Sequence, residues 1–262
     1  MSTRAPAFTV LMTASVAPKK GVREMLKRSD PEQRLKDYQT GLQFWLSLDE
    51  PRIKGVVFAE NTGFPLSGLR GFAEERNSRG LPLEFLSFDY PPVSPNLSYG
   101  CSEFQLVREA VARSAVAAQT EYFVKATGRY TFPDIRRLLA RLPAEFKIAG
   151  DSKGFRPFGR KTSPLMTVAL ILFRTGFFQS DVAPLVDTMI PAPPWTRSQF
   201  IETVLFDAFY PRRLEPGVIL RWPCNCEPRG IGSNGDNYAT ARKRLQSALR
   251  AIARVARPSL WM

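Results

Sequence analysis

The chain has 262 residues, 44% of them hydrophobic, enough for one large domain or a domain with a small appendage. Thirty-seven Lys and Arg against 24 Asp and Glu leave a formal charge of +13, which favours anionic partners such as nucleotides, nucleic acid or an acidic membrane face. Histidine is absent, which excludes a His triad, a His general base and a His metal site, and three cysteines (Cys101, Cys224 and Cys226) are too few for a four-thiolate zinc site. Acid–base chemistry must therefore come from Asp, Glu, Lys, Tyr or Cys, or from the substrate.

The cysteines read as reduced thiols, since the Cys224-Asn-Cys226 spacing is awkward for a disulfide within the pair. No stretch supplies the ~18 consecutive apolar residues of a membrane span. The first apolar run is short and lacks a typical cleavage pattern, so it reads as a core strand, not a leader. These features predict a cytoplasmic protein, soluble or peripheral to the membrane.

In chain order, Phe8–Thr13 is the first predicted strand, followed by a loop rich in Pro, Lys and Gly. Asp30-Pro-Glu-Gln33 opens a helix to about Ser47, with Asp30 as cap and Pro31 in the first turn. Leu35, Tyr38, Leu42, Trp45 and Leu46 form its apolar side. Strand Ile53–Ala59 ends at Glu60-Asn-Thr-Gly63, a short helix covers about Leu66–Glu75, and Leu83–Phe88 is a third strand. Pro91, Pro92 and Pro95 break the chain before a helix predicted to start at a Ser102 cap and run to about Ala118. Tyr122–Ala126 is the fourth strand, running into Thr127-Gly-Arg129, with a helix at about Asp134–Arg141 beyond. Strand and helix thus alternate about four times, which predicts a mainly parallel sheet covered on both faces.

The second half is less regular. Residues 150 to 164 are polar, with Gly and Pro, and read as a loop over a site. Leu165–Phe173 is another central strand, and helices are expected at Gly176–Thr188 and Arg197–Phe209, the latter capped by Thr196 and Gln199. Val218–Trp222 reads as an edge strand. Trp195 is a residue for packing or for stacking on a sugar ring, while Phe173, Phe177 and Phe178 look like core. The expected organisation is one α/β domain over residues 1–236 and an amphipathic basic helix over 237–262. In that helix Leu245, Ala248, Leu249, Ile252 and Val255 oppose Arg242, Lys243, Arg250, Arg254 and Arg257. It can pack on the core by its apolar face, or lie on an anionic membrane.

Ligands in such sheets bind beyond the carboxyl ends of the strands. Polar groups gather there: Thr13 and Ser15, Glu60 and Asn61, Asp89, and Lys125 with Thr127 and Arg129. No Gly-x-Gly-x-x-Gly follows the first strand and there is no Walker-type loop, which counts against dinucleotide redox chemistry and P-loop phosphoryl transfer.

The ordered pieces Thr13-Ala-Ser-Val, Asp30-Pro-Glu-Gln-Arg34, Val56-Val-Phe-Ala-Glu-Asn-Thr-Gly63, Tyr99-Gly-Cys-Ser-Glu103, Phe123-Val-Lys-Ala-Thr-Gly-Arg-Tyr130, Phe200-Ile-Glu202 and Gly230-Ile-Gly-Ser-Asn-Gly-Asp-Asn-Tyr238 span nearly the whole chain. Together they resemble bacterial glycosyltransferases of GT-A type that build capsule and lipopolysaccharide O-antigen. The chain departs from that family where it has Gly100-Cys-Ser-Glu103 in place of Gly-x-Gly-Glu, and its late loop has fewer Ser and Gly.

The resemblance implies a nucleotide-sugar donor and a lipid-linked or oligosaccharide acceptor, with neither cofactor nor nucleic acid. It places Thr13, Ser15, Arg34, Glu60, Asn61, Thr127 and Gly128 at the donor, and Glu103, Ser233 and Asn234 at the acceptor. Where such enzymes carry a metal-holding Asp-x-Asp, this chain has Thr127-Gly-Arg129. Lys125 and Arg129 are then expected to neutralise the leaving diphosphate directly, with Asp89 or Asp151 as reserve metal ligands. Glu202 lines up with the family's base, and it is also an acid that a helix dipole favours in a first turn. Two rivals remain at this stage. One is a non-enzymatic basic protein that binds nucleic acid or membrane, and the other is a different transferase, of phospho-sugar or pyruvyl groups, on the same kind of glycan.

Overall fold

The computed structural model describes residues 5–20, 22–23, 26–92, 97–155, 161–189 and 199–256. Trp195, the Thr196 cap and Pro95 lie outside them.

Strands β1 (Phe8–Ala14), β2 (Ile53–Glu60), β3 (Leu83–Ser87), β4 (Tyr122–Thr127), β5 (Ile148–Phe155), β6 (Lys161–Arg174) and β7 (Val218–Ile219) form one sheet in the order β3-β2-β1-β4-β6-β5-β7. β3, β2, β1 and β4 are mutually parallel, and β6 alone runs against its neighbours β4 and β5. The expected mainly parallel α/β sheet is what the chain forms.

Period-two alternation sends successive side chains to opposite faces. Val10, Met12, Val124 and Ala126 meet α1 (Pro31–Ser47), α2 (Ser67–Arg76) and α4 (Ile135–Arg141) through Trp45, Leu69 and Leu138. Leu11 and Phe123 face α3 (Tyr99–Arg113) and α6 (Ile201–Phe209) through Phe104, Val107 and Leu205. The Phe173, Phe177 and Phe178 rings are buried in this second layer, as expected of core.

Four expectations are corrected. α3 begins one turn before Ser102: Ser98 is its cap and accepts from the Gly100 amide, while the Ser102 hydroxyl accepts from Asn61 Nδ2 at 3.1 Å. The polar segment after residue 150 is largely strand, because β5 pairs along β6 in a long hairpin that hydrophobicity alone does not reveal. The helix expected at 176–188 is three short pieces: α5 (Thr175–Phe177), a π turn (Phe178–Val182) and a 3-10 run (Ala183–Thr188). Pro184 at the start of that run cannot donate to an α-helical ladder. The edge strand at 218–222 shortens to β7.

Two close contacts fix the strand ends that carry the site. Glu60 is fully buried and accepts from the backbone amides of Val16 (2.9 Å), Thr62 (2.8 Å) and Phe64 (3.1 Å), and from the Thr62 hydroxyl. One carboxylate thereby joins the loops after β1 and β2. The second contact seats α1 on the turn after β4: a Cβ at Gly41 would stand 2.0 Å from the Gly128 carbonyl oxygen. Gly41→Ala is expected to destabilise the fold by at least about 2 kcal/mol, because backbone rather than a flexible side chain must yield. A urea titration checks this, and a midpoint equal to wild type would show that the contact is loose.

The terminal helix α7 (Ala241–Ala256) lies against the sheet's β5 side. Arg254 Nη2 reaches both Asp151 carboxylate oxygens at 2.6 and 2.7 Å, its Nη1 donates to the Trp222 carbonyl, and its Nε donates to Asn225 Oδ1. Arg250 pairs with Glu227 at 2.9 Å, and Asn225 donates to the Ser247 carbonyl at 2.5 Å. Asp151 and Arg254 are 2% and 9% exposed, so removing either partner would strand a buried charge.

Candidate active site

Two clefts open over the carboxyl ends of the parallel strands and share one wall. The first, about 780 Å³ including its mouth, lies over the ends of β1, β2 and β4. Thr13, Ser15, Asn61, Thr62 and Thr127 supply its polar edge, and Pro18, Val22, Leu26, Tyr90 and Pro91 its apolar side. The second, about 1370 Å³ on the same measure, lies between β6, the start of α6 and the late loop, with Lys153, Thr167, Glu202, Trp222, Glu227 and Tyr238 on its walls. Tyr99, Glu103, Thr127, Arg129 and Ser233 border both.

The first turns of α3 and α6 meet at this wall. A Cβ at Gly100 would stand 2.7 Å from Ile201 Cγ2, so the glycine allows the two helix starts to touch. That approach brings Glu103, one turn into α3, and Glu202, in the first turn of α6, to the same site. Oxygen Oε1 of Glu103 accepts from Thr13 Oγ1 at 2.6 Å, Lys125 Nζ at 2.7 Å and Thr127 Oγ1 at 3.0 Å. Burial opposes the charge on Glu103, but Lys125 and the two hydroxyls outweigh it and hold the carboxyl below its ordinary value.

Lys125 corrects an expectation. Its side chain is fully buried, and its ammonium donates to Glu103, to Thr127 Oγ1 at 3.2 Å and to the Val168 carbonyl at 2.5 Å. All three of its protons are taken, it borders neither cleft, and it is not placed to touch a diphosphate. Its position on β4 fixes the Glu103 carboxylate instead. Burial draws the Lys125 pKa down and Glu103 restores part of it.

Arg129 is where β4's exit turn delivers a cation to both clefts. It is 5% exposed; Nη1 donates to the Ile231 carbonyl at 3.1 Å and Nη2 to Ser233 Oγ at 2.7 Å, and among the described residues it has no ion pair and its buried Nε has no partner. Burial works against the Arg129 charge, but the fields of Tyr38, Tyr130, Asp37 and Glu103 outweigh it, and the unused Nε leaves a donor for an anion arriving in the cleft. Its two bonds clasp the late loop, which Gly230 (φ 136°) enters in a conformation L side chains rarely adopt.

Glu202 borders the second cleft, and its Oε2 is buried without a hydrogen-bond partner among the described residues. Burial raises its pKa, its own backbone amide and Lys125 work against that rise, and the neighbouring Glu103 charge adds to it. A partly desolvated carboxylate with one bare oxygen on a cleft wall is suited to accept a proton.

The other expected donor residues divide. Thr13, Ser15, Arg34, Asn61 and Thr127 border the first cleft, and Asn61 Oδ1 is a buried acceptor without a partner among the described residues. Arg34 spends its guanidinium on the Ser15 carbonyl (2.6 Å), the Arg28 carbonyl (2.9 Å) and the Tyr38 hydroxyl (3.1 Å), so it shapes the loop after β1. Glu60 and Gly128 border neither cleft; Glu60 is the loop staple and Gly128 the seat of α1. Of the expected acceptor residues, Glu103 and Ser233 lie on the shared wall, Glu103 being tied to Lys125, and Asn234 borders the second cleft.

Missed by the sequence reading were the aromatic and charged walls of the second cleft: Tyr99, Tyr130, Trp222 and Tyr238, and the Lys153–Glu227 pair at 3.4 Å. Tyr99 and Tyr238 flank motifs the sequence offers, and a tyrosine at each motif edge was the available signal.

The end of β4 offers no cluster of carboxylates for a divalent cation among the described residues. Glu103 is engaged by Lys125 and two threonines, and among the described residues no group of three or more Cys, Asp or Glu is placed to hold a metal. The two reserve ligands lie elsewhere: Asp89 is exposed and paired with Lys19, and Asp151 is consumed by Arg254.

No protein-family profile matches the chain, and no curated protein does. Solved structures resemble it in shape. A mannosyltransferase from Pyrobaculum calidifontis in complex with GDP-Man and Mn2+ superposes at a TM-score of 0.50 and 12% identity, over 97% of this chain and 65% of its own. This chain therefore spans less than two thirds of that enzyme's length. A 4-diphosphocytidyl-2C-methyl-D-erythritol synthase from Anaerococcus prevotii gives a TM-score of 0.48 at 7% identity, over 94% of this chain and 96% of its own. An inositol-1-phosphate CTP transferase from T. maritima gives 0.45 at 15% identity, over 95% and 98%. The likeness to the mannosyltransferase shows the fold: a GT-A-like α/β sheet, as the motif order implied.

Proposed function

We propose that this chain is a glycosyltransferase that moves a sugar from a nucleotide-diphosphate donor to a glycan hydroxyl. The observation that carries the reading is Arg129: a buried guanidinium that has, among the described residues, no ion pair and an unpartnered Nε, on the wall between two clefts. The first cleft takes the nucleoside, with its apolar side against the base and Asn61 Oδ1 offering an acceptor. The diphosphate then lies against Arg129, which neutralises the charge that develops as the sugar–phosphate bond breaks. In the second cleft the acceptor hydroxyl loses its proton to Glu202 as its oxygen bonds the anomeric carbon, and the bonding pair departs with the nucleoside diphosphate.

On this reading Lys125 and the threonines hold Glu103 ionised on the shared wall. Cationic Arg129 fills the place of a metal, so transfer proceeds without one. The aromatic walls of the second cleft suit a sugar ring, and the motif resemblance supports a surface-polysaccharide acceptor of capsule or O-antigen type. A merely basic binding protein would carry its cations on an open face, whereas Arg129 is sunk in a cleft.

The test is a thermal-shift screen of nucleoside diphosphates and nucleotide sugars, with and without EDTA. A ligand at about 100 times its Kd adds about 2.7 kcal/mol of stability. One nucleotide class is expected to stabilise the chain, equally with EDTA present. Stabilisation lost with EDTA would return a metal to the site. An equal, salt-sensitive response to every polyanion would sink the transferase reading.

A further inference from the structure

α7 is docked the opposite way round from an ordinary amphipathic helix. Its basic and small polar side faces the body, through Arg250, Arg254, Ser247 and buried Ala253. Its apolar side faces outward, with Leu245, Ile252 and Val255 exposed by 62%, 64% and 85%. At about 100° per residue, Leu245, Ala248, Ile252 and Val255 fall on one stripe, and Arg242 and Arg244 flank it on either side, both exposed. Among the described residues no helix is long and apolar enough to cross a bilayer.

We propose that this stripe is a membrane-docking surface for an anionic lipid bilayer, on which α7 lies in the interfacial plane. Charge selects the occupant. Residues 241–256 contain Arg242, Lys243, Arg244, Arg250 and Arg254 and no acid, so anionic headgroups complement the flanks while the stripe enters the acyl boundary. A second copy of the helix would set those cations against their like. The stripe also repeats over only about two heptads, fewer than the three or four that sustain a coiled coil. Arg250 of α7 pairs with Glu227 on the second cleft's wall, so the bilayer would lie beside that cleft.

Sedimentation of the full chain with phosphatidylcholine vesicles, and with vesicles carrying about 30% phosphatidylglycerol, tests this. The wild-type chain is expected to sediment with the anionic vesicles and to be released by salt. Ile252→Glu with Val255→Glu is expected to lower the bound fraction's partition coefficient at least about 10-fold, with the unfolding temperature unchanged within about 2 °C. Three results would overturn the proposal: no binding to anionic vesicles, equal binding by the double variant, or a wild-type dimer in sedimentation velocity that the double variant dissociates. The last would make the stripe a self-association surface. None depends on the chemistry assigned to the clefts, since vesicle binding needs no substrate.

Discussion

Arg129→Ala is expected to lower kcat/KM for sugar transfer by about 10²–10³-fold, the usual cost of deleting a preorganised group aimed at developing charge. It should also remove the thermal stabilisation given by the nucleoside diphosphate. The side chain has a second role, since its Nη1 and Nη2 hold the late loop through Ile231 and Ser233. Ser233→Ala separates the two, because it removes the Nη2 bond and leaves the guanidinium in the cleft. That variant is expected to lose less turnover than Arg129→Ala and to keep the thermal response to the nucleoside diphosphate, because it removes one charge-assisted hydrogen bond, worth about 1.5–3 kcal/mol, and leaves the cation. Arg129→Lys should recover part of the loss, keeping the charge without the fork. Turnover by Arg129→Ala within threefold of wild type, or a loss fully reproduced by Ser233→Ala, would remove Arg129 from the chemistry.

Glu202→Gln is expected to reduce kcat by about 10²–10⁴-fold while leaving donor affinity unchanged. The wild-type kcat–pH profile should rise through a pKa above the ordinary glutamate value, because burial raises that of Glu202, and the variant should lose this limb. Stability gives an independent sign. A carboxyl whose folded pKa lies above its unfolded one contributes stability that is complete below the unfolded value and is lost as pH climbs through the folded value. Glu202→Gln should therefore raise the unfolding temperature at pH 7–8 relative to wild type, and the gain should shrink towards pH 4. A variant less stable than wild type at neutral pH would show that Glu202 is a structural first-turn acid, as the helix-dipole reading holds.

The sheet was largely readable because its parallel half is written in apolar runs broken by Gly and Pro, and because the motif order matched a known fold. Where β5 and β6 depart from that writing, the reading failed: polar Asp151 and Lys153 look like loop until Thr167 and Leu165 are seen opposite them. Burial of charge was the other blind spot. The roles of Lys125 and Glu60 depend on the Glu103 side chain and the Val16 backbone amide, 22 and 44 positions away, and no local pattern reveals that a cation is sealed by a carboxylate on another element. Arg129 was legible for a different reason, as the cation of a strand-end motif, although the Asp37 and Glu103 carboxylates that act on it in space were not. Glu202 was legible as an acid in a first turn, but its bare oxygen was not.

The shared wall also divides the gene. Apart from Ser233, every residue bordering the first cleft comes from positions 13 to 129, whereas the second draws chiefly on positions 130 to 238. If the clefts hold donor and acceptor, mutations in the second half can change which hydroxyl is accepted without altering how the nucleotide is held. Such a chain can diversify its product while its donor is inherited unchanged, and only the five wall residues must satisfy both halves at once.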